Sequence, residues 1–459
     1  MEIKKFSKSL FVFRRDLRLD DNTGLIESLK KSDEVIPIFI LNPAQIEKNE
    51  YKSNSSVQFM FDSLEELNEN LQINGSKLFL FYGEPKKIIE NLINKEKIEA
   101  VYFNKDYTPF SKKRDEEIKN ICIKNKVKMF SFHDVLINNP DEVLKDNREP
   151  YTVFTPYFRK ASTLKVKNPE KNIYKNYYKN EIKYSENYSI LKKLLKERNE
   201  NVILGGRKEA IKILKNITDF SAYEKERDIP ALEKTTLLSA HLKFGTCSPR
   251  EVHEAVTNKL SEIHPLIRQL YWRDFFYQIA HHFPHVFEKS FNEKYEKIKW
   301  EYNENKFSAW KNGMTGFPIV DAGMRQLNQT GYMHNRVRMI VASFLTKDLH
   351  IDWRLGEKYF AQKLVDYDPC INNGNWQWAA STGCDAQPYF RIFNPWLQQK
   401  RFDYDAKYIK KWVPELKELS SSEIHELNAK QPTKLIKYPR PIISHDEEKI
   451  IALKMFNTN

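Results

Sequence analysis

Leu10-Phe11-Val12-Phe13 and Val35-Ile36-Pro37-Ile38-Phe39-Ile40 are short apolar runs rich in β-favouring residues, with almost no polar interruption. Three more follow: Leu78-Phe79-Leu80-Phe81, Val101-Tyr102-Phe103 and Met129-Phe130-Ser131-Phe132. Longer amphipathic stretches such as Ser56 to Asn70 separate them. A strand that is apolar on both faces is covered on both, and helix-length spacers supply the crossovers that parallel strands need. The pattern predicts an α/β domain with a doubly wound parallel sheet over residues 1–135. Neither GxGxxG nor GxxxxGK[ST] follows the first run, so the common dinucleotide and nucleoside-triphosphate loops are absent.

Beyond this domain the strand signal fades. Residues 136–205 are rich in Lys, Asn, Tyr and Pro and read as a long, partly ordered connector. From residue 206 to 459 helix signals dominate. Ser248-Pro249-Arg250-Glu251 has an N-cap serine, a proline at the first helical position and a glutamate three residues after the cap. Pro318 to Leu327 with Gly331 beyond, His334 to Lys347, and Asp352 to Leu364 read as further helices of an all-α domain. All eight tryptophans fall within it, from Trp272 to Trp412.

At 459 residues, 41% hydrophobic and 30% charged, the chain is long enough for two or three compact units and too apolar for wholesale disorder. No apolar run approaches the roughly 20 residues that span a bilayer. The N-terminus lacks a signal-peptide core, and Cys122, Cys247, Cys370 and Cys384 form no CxxC pair. A reducing cytoplasm is the expected home, with no membrane partner. The net charge of +13 creates a field that attracts polyanions such as nucleic acid.

Three constellations stand out in the helical half. Gln269, Trp272, Arg273 and Phe276 share one helix face, offering an amide, an indole, a guanidinium and a phenyl to a planar ring system. Asn335 lies one turn from Arg338 and Met339. Asp366-Tyr367-Asp368-Pro369-Cys370-Ile371-Asn372-Asn373-Gly374-Asn375-Trp376-Gln377-Trp378 is too polar for core and too aromatic for a routine surface loop, and reads as a Pro/Gly-interrupted site lining. His281, His282 and His285 lack a carboxylate at a metal-ligand spacing, and HExxH and GxSxG are absent, so neither a metal site nor serine hydrolysis is expected.

These segments carry a resemblance to the DNA photolyase and cryptochrome family. It rests on Tyr223 to Asp228, Thr235 to Ser239, Trp272-Arg273-Asp274-Phe275, Thr315 to Arg325, Met333 to Met339, Asn372 to Asp385 and, in the first half, Phe13 to Asn22. The chain is most similar to the microbial, class I-like photolyases of cyclobutane pyrimidine dimers. The resemblance implies an all-α C-terminal FAD-binding domain, a non-covalent FAD and UV-damaged DNA as partner, with the protein acting as a monomer. It also implies light-driven electron transfer from reduced FAD to a flipped-out lesion, photolyases being standard instances of base flipping.

By that resemblance Tyr223 and Thr235-Thr236-Leu237-Leu238-Ser239 hold the FAD phosphates. Leu237 stands where the family usually has arginine, which removes one cation. Arg338 and Asp366 are implied as the ion pair beside the isoalloxazine, Asp368 as a partner of the ring edge and Asn372 as the residue facing its N5. Arg273 and Tyr367 complete the cofactor set. Trp376, Trp353 and Trp300 match the family's electron relay, with Trp300 outermost. Trp272 and Trp378 resemble the lesion's stacking walls, Asn335 and Met339 its polar and apolar contacts, and Arg227, Arg336 and Arg391 the phosphate clamps.

Gln269 departs from the pattern. Common microbial dimer photolyases have glutamate there, whereas 6-4 photoproduct photolyases and animal cryptochromes resemble this chain. Against a 6-4 reading, those enzymes carry proton-transferring histidines where this chain has Asn335-Arg336-Val337-Arg338-Met339. Against a photoreceptor, photosensory members generally bear a long C-terminal extension, and only 43 residues follow Leu416. A second, light-harvesting chromophore is left open. The Asn-Glu pair that holds a folate in some members is missing from Lys105 to Ser111, leaving a deazaflavin, another flavin or none.

Overall fold

All five apolar runs form strands: β1 (Phe6–Phe13), β2 (Ser32–Leu41), β3 (Phe79–Tyr82), β4 (Ala100–Asn104) and β5 (Lys128–Phe132). In this computed structural model, which describes residues 5–430 and 435–457, every strand pair is parallel and the order is β3-β2-β1-β4-β5. One face of the sheet buries Leu10, Val12, Ile36, Ile38, Phe79 and Phe103 in a continuous core. The winding reverses between β1 and β4, the place where open α/β sheets leave a crevice at their strand ends. Asn104 closes that end. Its Nδ2 donates to Asp16 Oδ2 at 2.6 Å and Asn22 Oδ1 at 2.8 Å, and its Oδ1 accepts from Gly24 N at 2.9 Å. A Cβ on Gly24 would meet that Oδ1 at 2.8 Å, so only glycine allows the approach.

The chain divides into two compact units, Met1–Asp219 with Thr236–Pro284, and Phe220–Thr235 with His285–Asn459. Helices Leu238–Phe244, Pro249–Lys259 and Pro265–His282 therefore belong with the sheet. A buried ion network explains why. Asp134, just after β5, takes Arg18 Nη2 at 2.6 Å and Arg250 Nη2 at 2.8 Å, and Arg250 Nε reaches Asp21 at 2.9 Å. The two guanidiniums hold the Asp134 carboxyl well below the usual carboxylate range despite its burial. Ser248 and Glu251 form the expected capping box.

Residues 136–205 are more ordered than a connector. They form helices Phe154–Ala161 and Ser189–Leu194, and bridge to β2 through Tyr177 and to β3 through Glu186. Their buried aromatic residues, Phe154, Tyr157, Tyr177 and Tyr178, are the reason, since four large rings need a covered surface.

The second unit is helical. Pro318–Thr330 ends at Gly331 in the left-handed region, and Asn335–Ser343 continues into a π-helical turn over Phe344–Asp348. Trp353–Lys363 is capped by Asp352. Most of the segment read as a Pro/Gly-interrupted site lining is a continuous helix over Pro369–Ala379: Asp368 caps it, Pro369 occupies the first helical position, and Gly374 is carried inside. At the far end His445–Phe456 is pinned by His445 Nδ1 to Asp348 Oδ1 at 2.5 Å and by Glu448 to Lys306 at 3.3 Å. Among the described residues no helix is long and apolar enough to cross a membrane.

Candidate functional site

In the second unit, His334 caps the Asn335–Ser343 helix through Nδ1, which accepts from Arg336 N at 3.2 Å. One turn on, Arg338 donates through Nη2 to Asp366 Oδ2 at 3.0 Å and through Nε to the Met333 carbonyl at 2.7 Å. The Asp366 side chain is only 5% exposed, and its other oxygen, Oδ1, is buried with no partner. Tyr332 packs its ring 5.2 Å from the Arg338 guanidinium and shares a hydrogen bond with Thr235 at 3.3 Å. Tyr223 is half-buried, with Arg227 5.9 Å from its ring, and Tyr367 is half-buried against the helical core.

The next two residues are held from different directions. Asp368 Oδ1 accepts from Cys370 N at 3.0 Å and Ile371 N at 3.3 Å, so this oxygen works as a helix cap. Asn372 is buried and donates through Nδ2 to the Glu357 carbonyl at 3.1 Å and to Glu357 Oε1 at 2.8 Å. With its NH2 committed, the amide can turn only one way. Burial pushes the Glu357 carboxyl up to about 7. An unmet buried acceptor beside a cation, several hydroxyls and an oriented amide suit a planar heterocycle with N–H and carbonyl edges, and so fit the isoalloxazine and ribityl groups of FAD.

Trp376 and Trp353 lie in the helical core at 2% and 1% exposure, and neither indole N–H has a partner. Trp310 beside them donates to the Val341 carbonyl at 3.0 Å. Trp376 packs edge-on against Phe360 at 4.9 Å and over Gly356, where a Cβ would lie 2.2 Å from its ring. Trp300 is half-buried and meets Phe456 edge-on at 6.0 Å. Trp378 is half-buried at the end of the Pro369–Ala379 helix.

Asn335 is exposed, with its Nδ2 3.8 Å from Met339 Sδ. Arg336 is not an open cation: it pairs with Asp228 at 3.0 Å and lies 4.3 Å over Phe402. Arg227 is half-buried and Arg391 exposed.

In the first unit, the Pro265–His282 helix leaves Gln269 and Trp272 half-buried. Arg273, expected to share their ligand face, is turned inward. Its Nη1 donates to the Val135 carbonyl at 2.5 Å and it pairs with the neighbouring Asp274, so its fork is spent inside the unit. Thr236 Oγ1 accepts from Leu238 N at 3.4 Å, Leu237 has a positive φ of 54°, Leu238 is buried and Ser239 exposed.

Sequence reasoning missed Glu357 because nothing in its local spacing links it to Asn372. It also missed a carboxylate near the histidines: Asp141 Oδ1 lies 3.2 Å from His281 Nε2, and the ligand atoms of Asp141, His281 and His282 are within 4.8 Å of one another. His281 Nδ1 is buried without the acceptor that a metal-ligating imidazole uses to fix its other N–H.

Residues 266–458 match the FAD binding domain of DNA photolyase, and residues 9–172 match DNA photolyase. The deoxyribodipyrimidine photo-lyase of Alkalihalophilus pseudofirmus is 36% identical over 97% of this chain and 96% of its own. An archaeal photolyase from Sulfolobus tokodaii, solved with two FAD molecules, is 44% identical with a TM-score of 0.90, covering 98% of this chain and 100% of that one. A bacterial class III photolyase from Agrobacterium tumefaciens is 35% identical with a TM-score of 0.91, covering 98% and 97%. The FAD-binding match takes in the Arg338–Asp366 pair, Asn372 and the three buried or half-buried indoles. With curated relatives matching along nearly its whole length, this chain belongs to the DNA photolyase family and carries that family's FAD-binding domain.

Proposed function

We propose that the protein repairs cyclobutane pyrimidine dimers in DNA, acting as a monomer on UV-damaged duplexes. When bound in its reduced form and excited by blue light, FAD supplies one electron that opens the dimer and takes it back, so the protein has to position and polarise more than exchange protons. Tyr223 and the Thr235 to Ser239 segment hold the phosphates. Arg338, Asp366, Tyr367, Asp368 and Asn372 hold the ring, with Asp366 Oδ1 accepting from it. Arg273 braces its helix.

The observation that carries dimer repair over 6-4 repair is the state of His334. His334 adjoins Asn335 in the chain, and burial lowers it to about 4 while its Nδ1 is spent on capping. At neutral pH it is uncharged and so offers no imidazolium to act as a proton donor. Asn335, Met339, Gln269, Trp272 and Trp378 then recognise the lesion by hydrogen bonds and stacking, and Arg227, Arg336 and Arg391 meet phosphates.

Trp376, Trp353 and Trp300 load electrons. The two buried indole N–H groups lack acceptors, so an oxidised indole there keeps its proton and is readily refilled, whereas half-exposed Trp300 can release its proton to water. The second FAD of the Sulfolobus photolyase supports a flavin as the antenna.

Illuminating the reduced protein with duplexes bearing a thymine dimer or a 6-4 lesion, and counting restored thymines, tests the reading. Restoration from the dimer is expected. Repair of the 6-4 lesion alone would overturn the substrate, and repair of neither with FAD bound would point to a photoreceptor.

A further inference from the structure

We infer that Phe154 is a positioning residue for lesion recognition, holding the Trp272 indole so that one face is presented to the DNA. The inference rests on the proposed role of Trp272 as a stacking wall.

Phe154 opens the Phe154–Ala161 helix and is 1% exposed. Its ring lies 3.6 Å from the Trp272 ring centre at 6°, face to face. Phe275 meets both rings edge-on at 5.8 Å, and Phe276 packs at 5.8 Å on the indole. One face of Trp272 is thus covered by Phe154 and two more rings pack on it, yet the residue remains half-exposed. A buried core tryptophan would be enclosed; a surface one would be free to turn. This arrangement fixes the plane of the ring and leaves part of it open to a base. An indole already held in place does not have to be ordered on binding, which otherwise weakens association by roughly three- to tenfold per side chain. The same buried phenylalanine also packs on Phe158 and under Arg268, which anchors the helix it opens.

Undamaged duplex presents no extruded base, so its binding does not use the held face. Affinities of FAD-loaded full-length variants for damaged and undamaged duplexes therefore separate positioning from general loss. Phe154→Leu keeps apolar volume in the core but lacks a flat ring, and should weaken dimer binding by roughly three- to tenfold with undamaged duplex unchanged. Phe154→Tyr should restore wild-type selectivity, and Phe154→Leu should add nothing in a Trp272→Ala background. Equal losses on both duplexes, or the same loss with Trp272 already removed, would overturn the inference, as would a Phe154→Leu protein with unaltered selectivity. If Trp272→Ala alone left dimer affinity intact, the stacking role itself would fall and this inference with it. If Trp272→Ala weakened the dimer and Phe154→Leu did not, only the inference would fall.

Discussion

The Asn372 amide donates to the Glu357 carboxyl at 2.8 Å and to the same residue's backbone carbonyl at 3.1 Å. Both groups are buried, and the carboxyl is raised from 4.5 to about 7. Below pH 4.5 the group is protonated in folded and unfolded chains alike, and its contribution to stability is complete. Between 4.5 and 7 the unfolded chain gives up a proton that the folded chain keeps, so this contribution is lost as pH rises.

Glu357→Gln, neutral at every pH and still able to accept from Asn372, should flatten the fall in stability across this window. The difference between wild type and variant amounts to about 3 kcal/mol from pH 4.5 to above 7. Urea midpoints at both ends measure it, and parallel profiles for the two proteins would show that Glu357 is not the titrating group.

Trp376→Phe should block photoreduction of oxidised FAD while leaving dimer repair by chemically reduced enzyme nearly intact. Phenylalanine keeps an aromatic ring in the core but is far harder to oxidise than an indole. Absorbance under illumination follows one activity and thymine recovery the other. Loss of both with flavin retained would make Trp376 a packing residue.

Arg336, proposed above as a phosphate contact, is half of an ion pair with Asp228, so its partner sets the sign of the second electrostatic test. Arg336→Ala should weaken DNA binding and reduce the salt slope by about one contact. Asp228→Asn should do the opposite, strengthening binding at low salt by freeing the guanidinium. Titrations at several salt concentrations decide this; an Asp228→Asn protein with weaker binding would mean that the carboxylate is needed to orient Arg336.

Gln269→Glu should preserve or improve dimer repair, because a neutral donor is exchanged for the commoner residue at a half-buried position that makes no other hydrogen bond among the described residues. Both lesions assayed side by side with wild type and variant would reveal a preference. Efficient wild-type repair of only the 6-4 lesion would place Gln269 above the Asn335 to Met339 segment as the determinant.

The sheet was legible because its strands are apolar on both faces, a pattern with few alternatives at that length. The helix starts at Ser248 and Asp352 were equally readable from local cap chemistry. The Asp366 to Trp378 stretch reads from sequence as an interrupted site lining, and its helix is hidden there because proline and glycine suggest breakage, whereas Asp368 and Pro369 together begin a helix. Long-range partners were out of reach: the Glu357 contact to Asn372, the Asp228 pair to Arg336 and the Arg273 bond to Val135 depend on how helices are brought together. Arg273 shows the limit of periodicity, which places residues on one face without saying whether that face meets ligand or protein.

The sheet-bearing unit is interrupted in the chain, closing only when Thr236–Pro284 joins Met1–Asp219. During synthesis the carboxylates of Asp21 and Asp134 emerge long before Arg250, which must reach both. The nascent first 219 residues therefore carry an incompletely neutralised acidic knot, and this unit cannot finish folding on the ribosome until the chain through Pro284, well over half of it, has cleared the exit tunnel. A fragment ending near residue 220 holds the complete sheet but lacks the guanidinium that joins Asp21 to Asp134.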